Sequence, residues 1–207
     1  AHVSNITVTE NIARVCSKAT KLIYISTDQV YGEAANHSED NHALRPVNQY
    51  GKTKLQGEQK VRELCNDYII IRTNIFGWNV KPGRISSAEW IYLSLKKDDK
   101  ITLFTDYTFS PVYTECLGDI IMQLVDMDFT GIINAASLTP CSKYDFGIQL
   151  AEGFGLNSSL IRKGFIADHS FFAPRFHKLD LNVSKLSGLG IASPEYRLSI
   201  RQFTGDR

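Results

Sequence analysis

Tyr50 and Lys54, four residues apart in Tyr50-Gly-Lys-Thr-Lys54, follow the strand-like run Leu22-Ile-Tyr-Ile-Ser-Thr-Asp28 by about two dozen residues. On a helix that spacing puts both side chains on one face, about 6 Å apart along the axis. A fixed ammonium beside a phenol favours the ionised form, so a group that titrates at about 10 in water moves toward neutrality. Thr27, at the carboxyl end of the run, brings a second hydroxyl that can polarise the carbonyl oxygen to which Tyr50 gives its proton. Together these groups outline a carbonyl-reducing site. The bare Tyr-x-x-x-Lys pattern is weak evidence, because nine tyrosines make accidental matches expected. Tyr92-Leu-Ser-Leu-Lys96 is such a match. No hydroxyl-bearing strand end precedes it, so Tyr92 reads as a core aromatic and Lys96 as a solvated helix end.

The elements that must hold these groups alternate between strand and helix, the pattern of a parallel sheet with crossover helices. A helix is expected over 4–19, with Ile6, Ile12, Ala13, Val15 and Cys16 as its apolar side, and a buried strand over 22–26. Asn48 is placed to cap the helix that carries Tyr50 through Lys60 and onward. A strand over 68–72 ends in Thr73-Asn-Ile-Phe-Gly77. In open parallel sheets ligands bind beyond the carboxyl ends of strands, where Thr27 and Thr73 both stand. A second lobe begins near residues 81–84, with a helix over 86–97 and short strands over 101–104 and 109–112. Thr114 is expected to cap a helix through Met127, and a strand follows over 131–135. Ser142-Lys-Tyr-Asp145 resembles a capping box, and Ser193-Pro194 should start the last helix.

A chain of 207 residues can bury one good core, and 43% hydrophobic with 22% charged residues is ordinary globular composition. A net charge of +1 gives no broad field to draw nucleic acid or an anionic membrane, so neither is expected as a partner. Apolar runs such as Tyr68-Ile-Ile-Ile71 fall far short of the roughly 20 residues of a membrane span. Cys16, Cys65, Cys116 and Cys141 lie far apart with no Cys-x-x-Cys, and no basic-then-apolar signal opens the chain; reduced thiols in a cytoplasmic protein are the expectation. Asn5-Ile-Thr7 and Asn182-Val-Ser184 then read as chance glycosylation triplets. The five histidines show no paired helical spacing, so no metal site is expected.

Taken in order, several segments resemble the extended short-chain dehydrogenase/reductase superfamily, and within it the dTDP-4-dehydrorhamnose reductases of the RmlD-like type. They are Ile25-Ser-Thr-Asp-Gln-Val-Tyr-Gly32, Pro46 through Glu58, Ile71-Arg-Thr-Asn-Ile-Phe-Gly77, Asp106 through Thr114, Cys141 through Phe146 and Arg175 through Leu186. The resemblance implies an α/β fold: the carboxyl-terminal part of a Rossmann-type doubly wound parallel sheet, with a smaller α/β substrate-binding lobe. Residues 1–80 would belong to the NAD(P)-binding domain and 81–207 mainly to the substrate lobe, with 109–136 returning to the first sheet. By the same resemblance Thr27 would hydrogen-bond the substrate carbonyl, Tyr50 would donate the proton, and Lys54 would bind the nicotinamide ribose and bias the tyrosine. Ser26, Tyr50, Lys54, Asn74 and Ile75 would contact NADP or NAD. Asp28, Ser110 and Arg175 would contact a nucleotide-sugar substrate, and a homodimer is compatible with the resemblance.

Related 4,6-dehydratases follow Ser-Thr-Asp with Glu, where this chain has Gln29, and an amide cannot serve as a general base near neutral pH. A dehydratase is therefore disfavoured. An epimerase and a non-catalytic member of the same fold remain open beside the reductase. No G-x-x-G-x-x-G or G-x-G-x-x-G turn occurs in the chain. The expectation is that it represents the carboxyl-terminal part of a longer protein, and that alone it exposes the edge of strand 22–26, dissolves poorly and binds no dinucleotide.

Overall fold

The computed structural model of the chain describes residues 2–16, 20–32, 37–40, 43–79, 81, 83–169, 173–174 and 176–206. A π-helical turn, Val3–Thr7, leads into α1 (Val8–Cys16), followed by β1 (Leu22–Ile25), α2 (Gln49–Leu64), β2 (Tyr68–Arg72) and β3 (Ile75–Phe76). Next come α3 (Ser87–Lys96), β4 (Ile101–Phe104), β5 (Thr108–Phe109), β6 (Val112–Tyr113), α4 (Thr114–Asp126) and β7 (Gly131–Asn134). The chain continues through β8 (Cys141–Ser142), α5 (Lys143–Gly153), β9 (Ile161–Gly164), β10 (Lys178–Leu179), α6 (Ser184–Gly188) and α7 (Tyr196–Gly205).

The sheet under the Tyr50 segment is parallel, in the order β1-β2-β7, with Ile25 beside Ile71 and Arg72 beside Asn134. Strand β2 lies in the middle, and its run Ile69-Ile70-Ile71 has no solvent exposure. That is why it reads as continuously apolar rather than alternating: both faces of a central parallel strand are covered. On one face Ile69, Ile71 and Ile133 pack against Leu117, Ile120 and Leu124 of α4 and Leu186 of α6. On the other, Ile70 packs with Ala13 of α1 and with Val61 and Cys65 at the end of α2. Helices on both faces make this a doubly wound sheet. The remaining strands pair in small ladders, β4 with β9, β3 with β6, and β5 between β10 and β8. Around them Phe76, Phe109, Phe146, Leu150 and Phe203 build a second, aromatic core.

Helix α2 is polar for a packed helix, and its buried face is small: Gly51, Thr53 and Gly57 lie inward with Glu58 and Val61. Gly57 is needed there, because a Cβ would meet the Tyr24 hydroxyl at 2.2 Å and the Asn5 carbonyl at 2.5 Å. Helix α1 is turned differently from the sequence expectation. Thr9 and Ala13 face inward, while Ile12 and Val15 are 46% and 85% exposed. The expected strand over 109–112 is two strands, interrupted at Ser110-Pro111, since proline gives a ladder no N–H. Thr114 is the first residue of α4 rather than its side-chain cap, and α7 starts after Glu195, past Ser193-Pro194. No helix among the described residues is long and apolar enough to cross a membrane.

Candidate active site

Helix α2 starts where the Asn48 side chain accepts a hydrogen bond from the Gly51 amide at 2.9 Å, the N-cap expected from sequence. Asn48 also reaches outward: its Nδ2 donates to Gln29 Oε1 at 3.0 Å and to the Pro174 carbonyl at 3.4 Å. The cap thus locks the first turn, with Tyr50 in it, to the short 3-10 turn Asp28–Val30 that follows β1. Thr27 caps that turn by accepting from the Gln29 amide at 3.3 Å, and donates its own proton to Asp28 Oδ1 at 3.0 Å. Asp28 is 1% exposed, and its other oxygen accepts from Asn74 Nδ2 at 2.5 Å. Gln29 Nε2 lies 3.5 Å from both Asp28 Oδ1 and the Tyr107 hydroxyl, so one amide joins the strand end to the β5 region.

These groups border a cavity of about 540 Å³ lined by Ser26, Thr27, Asp28, Gln29, Asn48, Tyr50, Thr73, Asn74, Ile75 and Tyr107, among others. Six of the sequence-predicted site residues therefore share one wall: Ser26, Thr27, Asp28, Tyr50, Asn74 and Ile75. Lys54 lies behind that wall. Its ammonium donates to the Ile25 carbonyl at 2.5 Å and stands 4.1 Å from the centroid of the Tyr24 ring. Ser110 is not among the lining residues; it is 1% exposed, and its hydroxyl accepts from the Leu181 amide at 3.2 Å. Arg175 lies outside the described residues, although Ala173 and Pro174 beside it line the cavity.

The electrostatics correct one expectation. Tyr50 is not lowered by Lys54. Partial burial pushes its phenol above the ordinary value, the nearby Asp28 charge adds to the rise, and a hydrogen bond with Thr27 opposes it. The ammonium is committed to the backbone of β1, which is why it does not drive Tyr50 down. Burial lowers Lys54 itself to about 8, opposed by the charge of Glu58. Asp28 is raised by burial, against hydrogen bonds from Asn74, Thr27 and Gln29 and the charge of Lys143. A carboxyl so held is an anchor for Thr27.

Sequence reasoning missed two groups. Glu58 and Arg72 form a buried pair, 2.7 Å between Oε2 and a terminal guanidinium nitrogen, directly behind Lys54 and Ser26. Glu58 stands four residues beyond Lys54, the helical neighbour position, so its type and spacing were a usable signal. The Thr73 hydroxyl, at the strand end already singled out in the sequence, is buried in the cavity wall with no hydrogen-bond partner among the described residues.

The chain is similar in sequence and fold to several known proteins. A probable low-salt glycan biosynthesis reductase of Haloferax volcanii is 30% identical over 92% of this chain and 65% of its own length. A dTDP-4-dehydrorhamnose reductase of Mycolicibacterium smegmatis is 32% identical over 84% of the chain and 54% of its own length. The chain thus spans less than two thirds of the length of either relative. A solved structure of a dTDP-4-dehydrorhamnose reductase from Bacillus anthracis, in complex with NADP, superposes with a TM-score of 0.90. It is 25% identical, over the whole of this chain and 73% of that one. The family model described as RmlD substrate binding domain matches residues 1–206, and the chain belongs to that family, within the extended short-chain dehydrogenase/reductase superfamily.

Proposed function

We propose that the protein reduces a 4-keto group on a deoxysugar nucleotide, of the dTDP-4-dehydrorhamnose kind, with NADPH or NADH, for cell-surface polysaccharide precursors. The observation that carries this reading is the meeting of the Thr27 and Tyr50 side chains at one cavity, where Thr27 is held by the buried Asp28 carboxyl. Tyr50 gives its proton to the carbonyl oxygen as the carbon is reduced. Thr27, whose O–H goes to Asp28 in this structure, turns it to that same oxygen when substrate binds, its own oxygen still held by the Gln29 amide. The raised phenol suits a proton donor, which must arrive protonated. Lys54 contacts the cofactor ribose from behind Tyr50. A reduced nicotinamide, when bound, supplies the hydride. The wall fits such a ring: the unpartnered Thr73 hydroxyl offers a hydrogen bond, and Ile75, 49% exposed, offers an apolar surface.

Reduction is favoured over dehydration because the acidic pair that elimination needs is absent at this turn. Asp28 is tied down by three side chains, and Gln29 is an amide that joins Asp28, Asn48 and Tyr107. Residues 81–207, apart from the segment 109–136 that returns to the first sheet, form mainly the substrate side in this reading. The test is oxidation of NADPH or NADH by the full-length protein with a dTDP-4-keto-6-deoxy sugar. Tyr50→Phe should lower kcat by about 100-fold or more while changing KM little. Cofactor should be consumed one for one with product; an epimerase or dehydratase consumes none. Near-normal turnover in Tyr50→Phe, or product without cofactor oxidation, refutes the assignment.

A further inference from the structure

Glu58 is 1% exposed and takes no part in the chemistry above. It lies one turn beyond Lys54 and two beyond Tyr50 on α2. Its carboxylate gathers three donors: Ser26 Oγ at 2.5 Å and Arg72 Nε at 3.1 Å on Oε1, and an Arg72 terminal nitrogen at 2.7 Å on Oε2. Ser26 precedes Thr27 at the end of β1, and Arg72 ends β2 just before Thr73 and Asn74. Arg72 is steadied in turn by Tyr31, whose ring centroid is 4.9 Å away and whose hydroxyl donates to Asn134 of β7 at 2.9 Å. One carboxylate therefore ties the helix bearing Tyr50 and Lys54 to the strand ends that bear Thr27 and Thr73.

We propose that Glu58 is the positioning residue of this site: clasped between Ser26 and Arg72, it registers α2 against β1 and β2 and so holds the Lys54 ammonium against the Ile25 carbonyl. The inference rests on the reading of Tyr50 and Lys54 given above. Burial favours the neutral amine of Lys54, and Glu58 is the charge that opposes it. Tyr24 faces Lys54 from β1 with its phenol pushed up to about 12, so it stays neutral there. Tyr50 lies on the same helix, and Arg72 enters from β2 through Glu58. From α1, Glu10 pairs with Arg14 at 2.6 Å. A neutral amide at position 58 therefore removes the charge that holds the Lys54 proton.

The test separates this role from that of a simple staple, which an apolar pair of similar shape would replace without touching Lys54. Titration of Lys54 in the full-length protein is followed by NMR of isotope-labelled lysine side chains, assigned with Lys54→Arg. In Glu58→Gln, Lys54 should titrate about one unit lower than in the wild type. If that variant does not fold, Glu58→Gln combined with Arg72→Met should show the same direction of shift. In the full-length protein the alkaline limb of kcat should move down in parallel, and kcat should fall by about 10-fold with KM little changed. A folded variant in which Lys54 titrates as in the wild type overturns the inference. A shifted Lys54 in a protein that reduces no sugar nucleotide would instead tell against the functional reading alone.

Discussion

Gly51→Ala tests how finely the site depends on helix placement. Gly51 follows Tyr50 in the first turn of α2 and is buried. A methyl carbon there would stand 2.5 Å from the Gln29 carbonyl oxygen and 3.0 Å from Pro46 Cβ. Non-bonded carbon contacts settle at about 3.5 Å, and a main-chain oxygen cannot swing aside like a side-chain tip. The gap must open by about 0.5–1 Å, and it is the gap spanned by the Asn48–Gln29 bond, with Thr27 on one side and Tyr50 on the other. A misplacement of about 1 Å costs about 100-fold in rate, so kcat should fall by about 10-fold or more. Stability is affected less. Overpacking costs about 1–3 kcal/mol, and the better helix propensity of alanine returns up to about 1 kcal/mol. The net loss lowers Tm by only a few degrees. Gly118, inside α4, is the control, because a Cβ there meets nothing within 4 Å and Gly118→Ala should stabilise by about 0.5–1 kcal/mol. Steady-state kinetics of the full-length protein and thermal unfolding of both variants decide the matter. Wild-type kcat in Gly51→Ala, with a Tm raised as in Gly118→Ala, would refute the close approach.

Phe203→Ala should destabilise by about 3–5 kcal/mol, since the ring is fully buried and packs on Phe76, Trp78, Tyr113 and Phe154; a loss under about 2 kcal/mol in urea unfolding would contradict that core. Lys54 is lowered from 10.5 to about 8 on folding, so between those values the unfolded chain binds more protons and stability from this group rises with pH. Lys54→Met should lack that rise, and parallel unfolding curves for the two proteins at pH 8 and pH 10 would exclude it. Cys141 is buried with its thiol pushed up to about 12, so it should resist alkylation at neutral pH in the native state and react on unfolding; prompt native-state labelling at Cys141 would contradict its placement.

The features legible in the sequence are the local ones. Asn48 announced its helix because an Asx cap is decided within three residues, and the isoleucines of β2 announced a central strand because both faces of that strand are covered. Tyr92 was readable as core, and it packs against Trp78 and Phe154. The outward side of α1 was not readable. Its inward residues are Thr9 and Ala13, one of them polar, so the apolar pattern within α1 does not report the buried side. Ser110 was a substrate contact by resemblance alone, and the backbone of Leu181 that meets it, seventy-one residues away, leaves no mark beside it in the sequence.

The same division runs through the site itself. Tyr50 and Lys54 share one helix, and Ser26, Thr27 and Asp28 share one strand end, so their type and order survive in the sequence. What joins them does not. Ser26 and Arg72 meet at one carboxylate because β1 and β2 run parallel with Ile25 beside Ile71, which carries Ser26 to the flank of Arg72. Side chains alternate along a strand, so Tyr24 and Ile70 point to the α1–α2 face with that pair, while Ile69 and Ile71 point to α4. A slip of one residue between the strands would turn Arg72 toward the apolar face against α4 and leave Glu58 without its cation. The register of β1 on β2 is therefore set twice, by the isoleucines on one face and by the Glu58 carboxylate on the other. Thr27, one residue past that clasp, inherits its position opposite Tyr50 from both.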